Sequence, residues 1–350
     1  MTLAPDPAFE GVRDGDLAAM GRALALAASV RARTSPNPWV GCVVAAGDAT
    51  FEGATQPPGG QHAEAMALAA AGSRARGATL YATLEPCAHH GRTPPCAQAI
   101  VEAGVSRVVV AVLDPDPQVS GRGVDVLRQA GVTVDVGVGA TEGTELLAPY
   151  LKHRRTSRPW VVLKLAATLD GRIAAPDGTS KWLTGPEARA DAHRLRAESD
   201  AVLVGAGTVR ADDPELTVRL AGGDDAPPSV HDHQPLRVVL GRAPDGARVH
   251  PALEMDGDLG TVLDELGHKG VLQLLVEGGA TVAHAFHSQG LVDRYVLYLA
   301  PALFGGDDAR AMFRGPGAPD IGSLWRGRLV SARPVGADLR VELAAASEGD

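Results

Sequence analysis

The sequence predicts an α/β protein made of two domains. Short apolar runs rich in Val alternate with Ala-rich stretches along the whole chain, which is typical of sheets covered by helices. A length of 350 residues is enough for two ordinary domains, each with its own core. The alternation weakens once, at the charged run 152–155 ahead of Pro159. We therefore predict domains over residues 1–147 and 159–346, joined by a linker at 148–158.

The first domain is predicted to alternate helices with strands. Gly104 and Gly131 each follow a helical stretch, at the position where a glycine commonly ends a helix. The predicted helices cover residues 17–33, 63–71, 96–103 and 123–130, and the predicted strands cover 40–46, 78–84, 107–113 and 132–137.

The second domain is predicted to resume the alternation. Thr184 and Glu187 have the spacing of a capping box, which predicts a helix from there to about Glu198. Residues 213–234 are rich in Pro, Gly, Asp and His and are predicted to form a long loop. The predicted strands cover residues 160–167, 200–204, 237–240, 270–276, 294–300 and 339–344.

The composition narrows the class of protein. A formal net charge of −9 argues against wholesale binding of nucleic acid. The chain has no apolar run long enough to span a membrane, and its acidic, Pro-rich start lacks the pattern of a secretory signal. Three cysteines are too few for a disulfide framework. We therefore expect a cytoplasmic protein, with no nucleic-acid or membrane partner, whose anionic ligands would need a local Arg or Lys cluster.

The strongest chemical signal is a set of metal ligands in the first domain. His62, Cys87 and Cys96 supply one imidazole and two thiolates, a three-ligand zinc set that leaves a fourth position open, as in catalytic sites. Zinc in such a site lowers the pKa of water towards neutrality. Glu64 stands two residues after the histidine, and this His-x-Glu…Pro-Cys…Cys order is the signature of zinc deaminases, in which the glutamate moves protons. We predict one zinc ion per chain.

Two alternative interpretations of these residues remain open. Each cysteine alone is more often a small buried hydrophobic residue, and Cys42, inside a predicted strand, is interpreted that way. A structural zinc site has four protein ligands, and His89 or His90 would supply the fourth. Under that interpretation the protein is not an enzyme.

Three motifs of the first domain resemble the bifunctional riboflavin-biosynthesis deaminase–reductase (RibD) family. They are residues 34–41 (TSPNPWVG), residues 62–64 (HAE) and residues 83–96 (TLEPCAHHGRTPPC), with eight residues between the two cysteines. The resemblance implies a cytidine-deaminase-like α/β/α sandwich that removes the 2-amino group of 2,5-diamino-6-(5-phosphoribosylamino)pyrimidin-4(3H)-one. It also implies that zinc is bound by His62, Cys87 and Cys96, that Glu64 shuttles the proton, and that Asn37, His89 and Arg92 line the substrate pocket.

Five segments of the second domain are similar to the reductase half of the same family: residues 164–171, 180–184, 193–196, 207–219 and 275–279. The resemblance implies a dihydrofolate-reductase-like α/β fold that uses NADPH to reduce the ribosyl group to ribityl. The implied NADPH contacts are Ala166, Trp182, Thr208, Asp212 and residues 279–285, which begin with Gly279, Ala280 and Thr281. The implied substrate contacts are Ser180, Arg196, Leu216, Arg219 and Glu277.

The predicted helix after Thr184 carries a basic stripe. Arg189, His193 and Arg196 lie on one helix face, which suits an anionic substrate, although a solvated face paired with Glu187 and Glu198 explains the same spacing. Glycines at 205, 207, 278 and 279 follow predicted strands, where a helix start offers backbone N–H groups to phosphate.

One departure from the family concerns the cofactor pocket. Residues 241–269 are condensed where relatives usually have a longer stretch with an extra strand, so we expect a remodelled cofactor pocket. Arg242 is the nearest positive group for a 2′-phosphate, with a plain surface arginine as the alternative.

Two further functional alternatives remain. The chain is a deaminase with a degenerate reductase domain, or a nucleoside or nucleic-acid deaminase with an appended domain. The acidic charge and the long spacing between the cysteines count against the latter. The leading expectation is a small-molecule enzyme that acts on a phosphoribosyl-pyrimidine and forms a homo-oligomer.

Overall fold

The computed structural model describes residues 13, 15–88, 94–116, 119–219 and 234–345. The chain divides into two compact units, Met1–Thr156 and Ser157–Asp350. The predicted linker at 148–158 is wrong over most of its length, because residues 148–156 are the last turns of a helix, Ala140–Thr156, that belongs to the first unit. Its charged residues lie on that helix rather than in a loop.

The first unit is built on a five-stranded mixed sheet. Its strand order is β2-β1-β3-β4-β5, with β1 antiparallel to both neighbours and β3, β4 and β5 parallel. The strands are β1 (Gly41–Ala46), β2 (Ala49–Ala54), β3 (Thr79–Leu84), β4 (Arg107–Val112) and β5 (Thr133–Val136). The helices are α1 (Asp16–Val30), α2 (Ala63–Ala71), α3 (Cys96–Glu102), α4 (Arg122–Gln129) and α5 (Ala140–Thr156).

Helices cover both faces of this sheet, as predicted. On one face α1 packs against β1 so closely that a Cβ atom at Gly41 would lie 1.9 Å from the carbonyl oxygen of Ala23. On the other face α2 crosses β2, where a Cβ atom at Gly53 would lie 2.1 Å from the carbonyl oxygen of Ala63. These glycines allow each helix to lie in close contact with the sheet. The contact at Gly53 fixes the position of the start of α2 relative to β2.

The second unit is built on an eight-stranded mixed sheet with the order β10-β9-β8-β11-β6-β12-β15-β14. In this order the first six strands, from β10 through β12, are parallel to their neighbours. Strands β14 and β15 form an antiparallel hairpin, and β15 pairs antiparallel with β12. The strands are β6 (Trp160–Thr168), β7 (Arg172–Ala174), β8 (Ala201–Gly205), β9 (Leu236–Leu240), β10 (Leu253–Met255), β11 (Gln273–Val276), β12 (Arg294–Ala300), β13 (Arg310–Ala311), β14 (Gly327–Val335) and β15 (Asp338–Ala345), of which β7 and β13 pair separately. The helices are α6 (Pro186–Ala197), α7 (Ala206–Asp212), α8 (Leu259–His268) and α9 (Ala280–Ser288).

One sequence prediction for the second unit is wrong in detail. The capping box does not form, because α6 begins at Pro186 after Gly185, and the Gly185 N–H donates to the Asp338 carboxylate at 2.7 Å instead. Residues 241–269, which the sequence analysis describes as condensed, contain β10 and then α8. The predicted loop 213–234 lies outside the described residues except for its ends.

Candidate active sites

The three predicted zinc ligands come together at the starts of two helices. His62 is the N-cap residue of α2, and Cys96 is the first residue of α3, directly after Pro95. Cys87 lies just beyond the end of β3, and its sulfur accepts the Cys96 backbone N–H at 3.4 Å. The sequence therefore places one ligand at the end of a strand and two at helix starts, where backbone N–H groups favour thiolate.

The ligand atoms have the spacing that zinc requires. His62 Nδ1 lies 3.3 Å from Cys96 Sγ and 3.7 Å from Cys87 Sγ, and all three atoms fall within 4.8 Å of one another. A tetrahedral zinc ion with ordinary Zn–N and Zn–S bonds separates such atoms by about 3.5–3.8 Å. The donor set and its spacing thus fit a zinc ion with three protein ligands.

Glu64 lies in the first turn of α2, beside this cluster. Its side chain is buried, and burial, together with the nearby Cys87 thiolate, raises the pKa of Glu64 to about 7. A carboxyl group that is half protonated near neutral pH is suited to both accepting and donating a proton. Cys42 is fully buried in β1, as its interpretation as a core residue predicts.

A cavity of about 190 Å³ opens next to the cluster and is lined by residues of the first unit alone. Asn37 lines it together with His62, Glu64 and Cys87, as predicted for a pocket residue. The predicted pocket residues His89 and Arg92 lie outside the described residues.

Several further residues that line this cavity were missed by the sequence analysis. Asp114 is buried there, and it accepts a hydrogen bond from the Tyr150 hydroxyl at 2.9 Å. Arg154 lies with its guanidinium carbon 5.0 Å from the centre of the Tyr150 ring. Asp114 follows β4 just as Cys87 follows β3, and since parallel neighbours end at the same edge of a sheet, that placement was a usable signal.

A second cavity, of about 490 Å³, is lined by residues of the second unit alone. It collects most of the residues that the resemblance assigns to cofactor and substrate. From the predicted cofactor set it includes Ala166, Trp182, Thr208, Asp212 and Gly279, and from the predicted substrate set Ser180, Arg196, Leu216, Arg219 and Glu277. Ala280 and Thr281 are the first residues of α9, beside Gly279, and are not among the lining residues.

Glu277 is the carboxylate that pairs with two cations of this second cavity. Both of its carboxylate oxygens accept from the Arg196 guanidinium, at 2.5 Å and 2.9 Å, and Lys164 Nζ lies 3.6 Å away. Burial alone would raise the pKa of Glu277, but the charges of Arg196 and Lys164 hold it at about 2. Lys164 lies in β6 and is the first residue of the similar segment 164–171, but the sequence analysis did not identify it as a site residue.

Helix α6 presents its basic stripe to this cavity and not to solvent. His193 is buried, and its Nδ1 faces the backbone N–H of Arg219 at 3.2 Å. Burial and the charges of Arg196 and Arg219 lower the pKa of His193 to about 4, so its imidazole is neutral at neutral pH. The solvated-face alternative is therefore wrong for His193 and Arg196.

Two more cations line the cavity. Arg219 Nη1 donates to Glu215 at 3.0 Å, and Arg248, which the sequence analysis missed, donates to the same carboxylate. Arg242 is exposed and does not line the cavity, in agreement with its alternative interpretation as a surface residue. Helix α9 begins at Ala280 with no side-chain cap, so its first turn is suited to bind phosphate.

No helix among the described residues is long and apolar enough to cross a membrane.

Comparison with known proteins matches each unit to a family. Residues 15–112 match the cytidine and deoxycytidylate deaminase zinc-binding region, and residues 159–341 match the RibD C-terminal domain. The riboflavin biosynthesis protein RibD of Escherichia coli is 40% identical over 93% of this chain and 98% of its own length. RibD of Mycobacterium tuberculosis is 41% identical over 93% of this chain and 96% of its own length.

Solved structures agree over both units. Acinetobacter baumannii RibD superposes with a TM-score of 0.87 at 39% identity, covering 95% of this chain and 99% of that one. A diaminohydroxyphosphoribosylaminopyrimidine deaminase/5-amino-6-(5-phosphoribosylamino)uracil reductase from Thermotoga maritima superposes with a TM-score of 0.84 at 33% identity, with the same coverage.

Proposed function

The chain belongs to the RibD family of bifunctional riboflavin-biosynthesis enzymes, and from the two cavities we propose how its residues divide the two reactions. The chain is a zinc-dependent deaminase and an NADPH-dependent reductase. It hydrolyses the 2-amino group of 2,5-diamino-6-(5-phosphoribosylamino)pyrimidin-4(3H)-one and then reduces the ribosyl group of the product to ribityl. We assign deamination to the first unit and reduction to the second.

For deamination, the observation that carries the assignment is the His-Cys-Cys cluster with Glu64 beside it in one cavity. His62, Cys87 and Cys96 would hold the zinc ion, which when bound makes water a better nucleophile near neutral pH. Glu64 accepts a proton from the water that attacks the C2 carbon of the pyrimidine and delivers a proton to the departing amino group, which leaves as ammonia. Asn37 binds the pyrimidine in the same cavity.

For reduction, Thr208, Gly279 and the start of α9 would hold NADPH, which when bound would supply a hydride. The hydride adds to C1′ of the ribosyl group as the bond from C1′ to the ring oxygen breaks, and the ring oxygen takes up a proton. Lys164 is a half-buried ammonium group that lines the cavity and is the candidate donor of that proton. Glu277, kept charged by Arg196, accepts hydrogen bonds from the ribose hydroxyls.

For the 5′-phosphate, Arg219 is the better candidate of the two arginines that the resemblance assigns to the substrate. The guanidinium of Arg196 is already bound to Glu277 at two nitrogens. Arg219 has a buried Nε–H that finds no hydrogen-bond partner among the described residues, and it lines the same cavity. We therefore assign the phosphate to Arg219, with Arg248 close by across Glu215.

A further part of the proposal concerns the location, the partners and the assembly of the chain. We propose that the chain is cytoplasmic, takes a small-molecule substrate without a nucleic-acid or membrane partner, and assembles as a homo-oligomer. Support for assembly comes from β14, a long edge strand whose residues are mostly exposed, since such edges are commonly covered by another chain. Sedimentation velocity of the purified chain tests this directly.

The experiment that tests the deaminase assignment is Glu64→Gln. We expect this variant to keep one zinc ion per chain, because the three ligands are untouched, and to lose ammonia release by about 10²–10⁴-fold, because the proton shuttle is gone. Metal analysis and ammonia release from the diaminopyrimidine phosphate measure both. A fully active variant would overturn the assignment, and wild-type activity on cytidine or single-stranded DNA instead would favour the nucleic-acid deaminase alternative.

A further inference from the structure

Glu85 is a buried carboxylate near the zinc cluster that none of the steps above uses. It lies two residues before Cys87, yet its side chain does not take part in the ligand cluster. Its Oε1 accepts the backbone N–H groups of Gly123, at 2.9 Å, and Val124, at 3.3 Å. Its Oε2 accepts those of Gly121, at 3.0 Å, and Asp114, at 3.3 Å. One carboxylate therefore gathers four backbone donors.

Three of these donors belong to the start of α4. This helix has Gly121 at its N-cap position and makes no capping bond with a side chain of its own. An uncapped helix start leaves its first N–H groups without partners and attracts negative charge. Glu85, 36 residues earlier in the chain, supplies the missing cap from the loop that carries Cys87.

A second observation ties α4 to the same loop. Gly123 lies so close to the loop that a Cβ atom there would be 1.9 Å from the carbonyl oxygen of Pro86 and 3.2 Å from Glu85 Oε1. Only glycine permits this approach. The start of α4 is thus held against residues 85–87 by both hydrogen bonds and close packing.

The segment held in this way forms a wall of the first cavity. Asp114, Asp116 and Val119 line the same cavity as Asn37, His62 and Cys87. The Asp114 carboxylate accepts the backbone N–H of Asp116 at 2.9 Å and the Tyr150 hydroxyl at 2.9 Å. The Asp114 N–H is itself held by Glu85, so the position of this wall depends on that carboxylate.

We propose that Glu85 is a positioning residue for deamination, which fixes the wall formed by Asp114, Asp116 and Val119 at the distance from the zinc cluster that the pyrimidine requires. This inference rests on the proposed function of the first cavity. Glu85 itself lines the cavity, but its two carboxylate oxygens accept from these four backbone N–H groups, so it acts through the backbone of residues 114–116 and 119–124.

The charge and the shape of the carboxylate both matter to this role. Four N–H donors need two acceptor oxygens, and bonds to a charged acceptor are stronger than neutral ones. A glutamine at this position keeps the size but replaces one oxygen with an NH₂ group, which would face two N–H donors and accept from neither. The two backbone N–H groups that faced this oxygen would then lose their acceptor, while the metal ligands keep their positions.

The test is Glu85→Gln in the full chain. We expect the KM for the diaminopyrimidine phosphate to rise about tenfold or more, because the lost wall weakens substrate binding. The kcat should change by less than about threefold, because Glu64 and the zinc ligands remain, and a rise in KM alone indicates lost uniform binding. Zinc content should stay at one per chain. The matched control is Asp125→Asn, an exposed carboxylate in the first turn of α4, which should leave both constants unchanged.

Three results would overturn the inference: an unchanged KM, a fall in kcat with no change in KM, or loss of zinc. If the variant does not accumulate as folded protein, amide hydrogen exchange of the wild-type chain decides instead. The N–H groups of Asp114, Gly121, Gly123 and Val124 should exchange as slowly as those of β4, and rapid exchange at these positions would reject the proposal. An inactive Glu64→Gln variant beside an unaffected Glu85→Gln variant would leave the deaminase assignment standing and remove only this inference.

Discussion

At the scale of single residues, Glu277 illustrates how the second cavity keeps a carboxylate charged while it is buried. Removing a carboxylate from water costs several kcal/mol unless partners compensate for the lost hydration. Arg196 meets both oxygens in a bidentate pair and Lys164 adds a second positive charge. The carboxylate therefore stays an acceptor throughout the working pH range, which suits a group that binds hydroxyls rather than one that moves a proton.

Arg196→Lys tests this arrangement. A lysine is a point charge that cannot form the bidentate pair, and losing one charge-assisted bond costs about 1.5–3 kcal/mol. We expect the reductase KM for the deaminated substrate to rise by tens of fold while ammonia release is unchanged. Arg194→Lys, on the same helix and with 69% of its side chain exposed, is the control that should change neither. Equal KM values for the two variants would contradict the role given to Arg196.

Some site residues were predictable from the sequence because they stand in short motifs. The zinc ligands and the proton-transferring glutamate were predicted from their spacing along the chain alone; they are His62, Cys87, Cys96 and Glu64. Other site residues become part of the site only through the fold. Tyr150 and Arg154 reach the cavity from α5, more than 50 residues after Cys96, and no local pattern distinguishes them from other helix residues.

At the scale of elements, predictions succeeded where burial set the pattern and failed where an element is exposed. Helix α2 was predicted with the bounds it has, and β12 likewise. Strand β2 was missed because its sequence, ATFEGA, is mostly half-exposed at a sheet edge and contains a glycine required by α2. Strand β14 was missed because most of its residues are exposed and it contains a proline.

A buried ion pair joins the start of helix α1 to the sheet. Asp16, its first residue, accepts two hydrogen bonds from Arg107 of β4, each 2.8 Å, and one from the Tyr81 hydroxyl at 2.8 Å. The Arg107 guanidinium lowers the pKa of Asp16 to about 2. Both partners are buried, so neither water nor salt screens the pair.

Asp16→Asn should therefore destabilise the first unit by about 2–3 kcal/mol at neutral pH, the size of a pKa shift of nearly two units. Since the folded pKa lies below the unfolded one, this stability is present above about pH 4 and is lost as the pH falls towards 2. Urea unfolding at pH 7 and pH 3 measures the difference. Glu52→Gln is the control, because Glu52 binds α1 through an exposed pair with Arg22 and should cost less than about 1 kcal/mol. A pH-independent difference for Asp16→Asn would refute the assignment.

At the scale of the whole molecule, the two sites are built from separate parts of the chain. The residues that line the first cavity lie between Asn37 and Arg154, and those that line the second lie between Lys164 and Tyr298. The two compact units divide at Thr156 and Ser157, between these sets. Motif order in the sequence already predicted two sites, and the predicted linker at 148–158 contains the division, although its charged run is the end of α5 and not a loop.

This separation predicts that one activity can be removed without the other. Cys87→Ala deletes a zinc ligand of the first unit, so ammonia release should fall to background, because a site with two remaining ligands holds zinc poorly. The same variant should oxidise NADPH at the wild-type rate when it is given pre-deaminated substrate, because no residue that lines the second cavity is touched. Metal analysis, ammonia release and loss of nicotinamide absorbance measure the three quantities on one preparation. Cys42→Ala is the matched control: its thiol is buried in β1 outside the ligand cluster, and the variant should keep one zinc ion per chain. If Cys87→Ala, while folded, also lost NADPH oxidation, the two cavities would not be independent sites, and the division of reactions between the units would have to be abandoned.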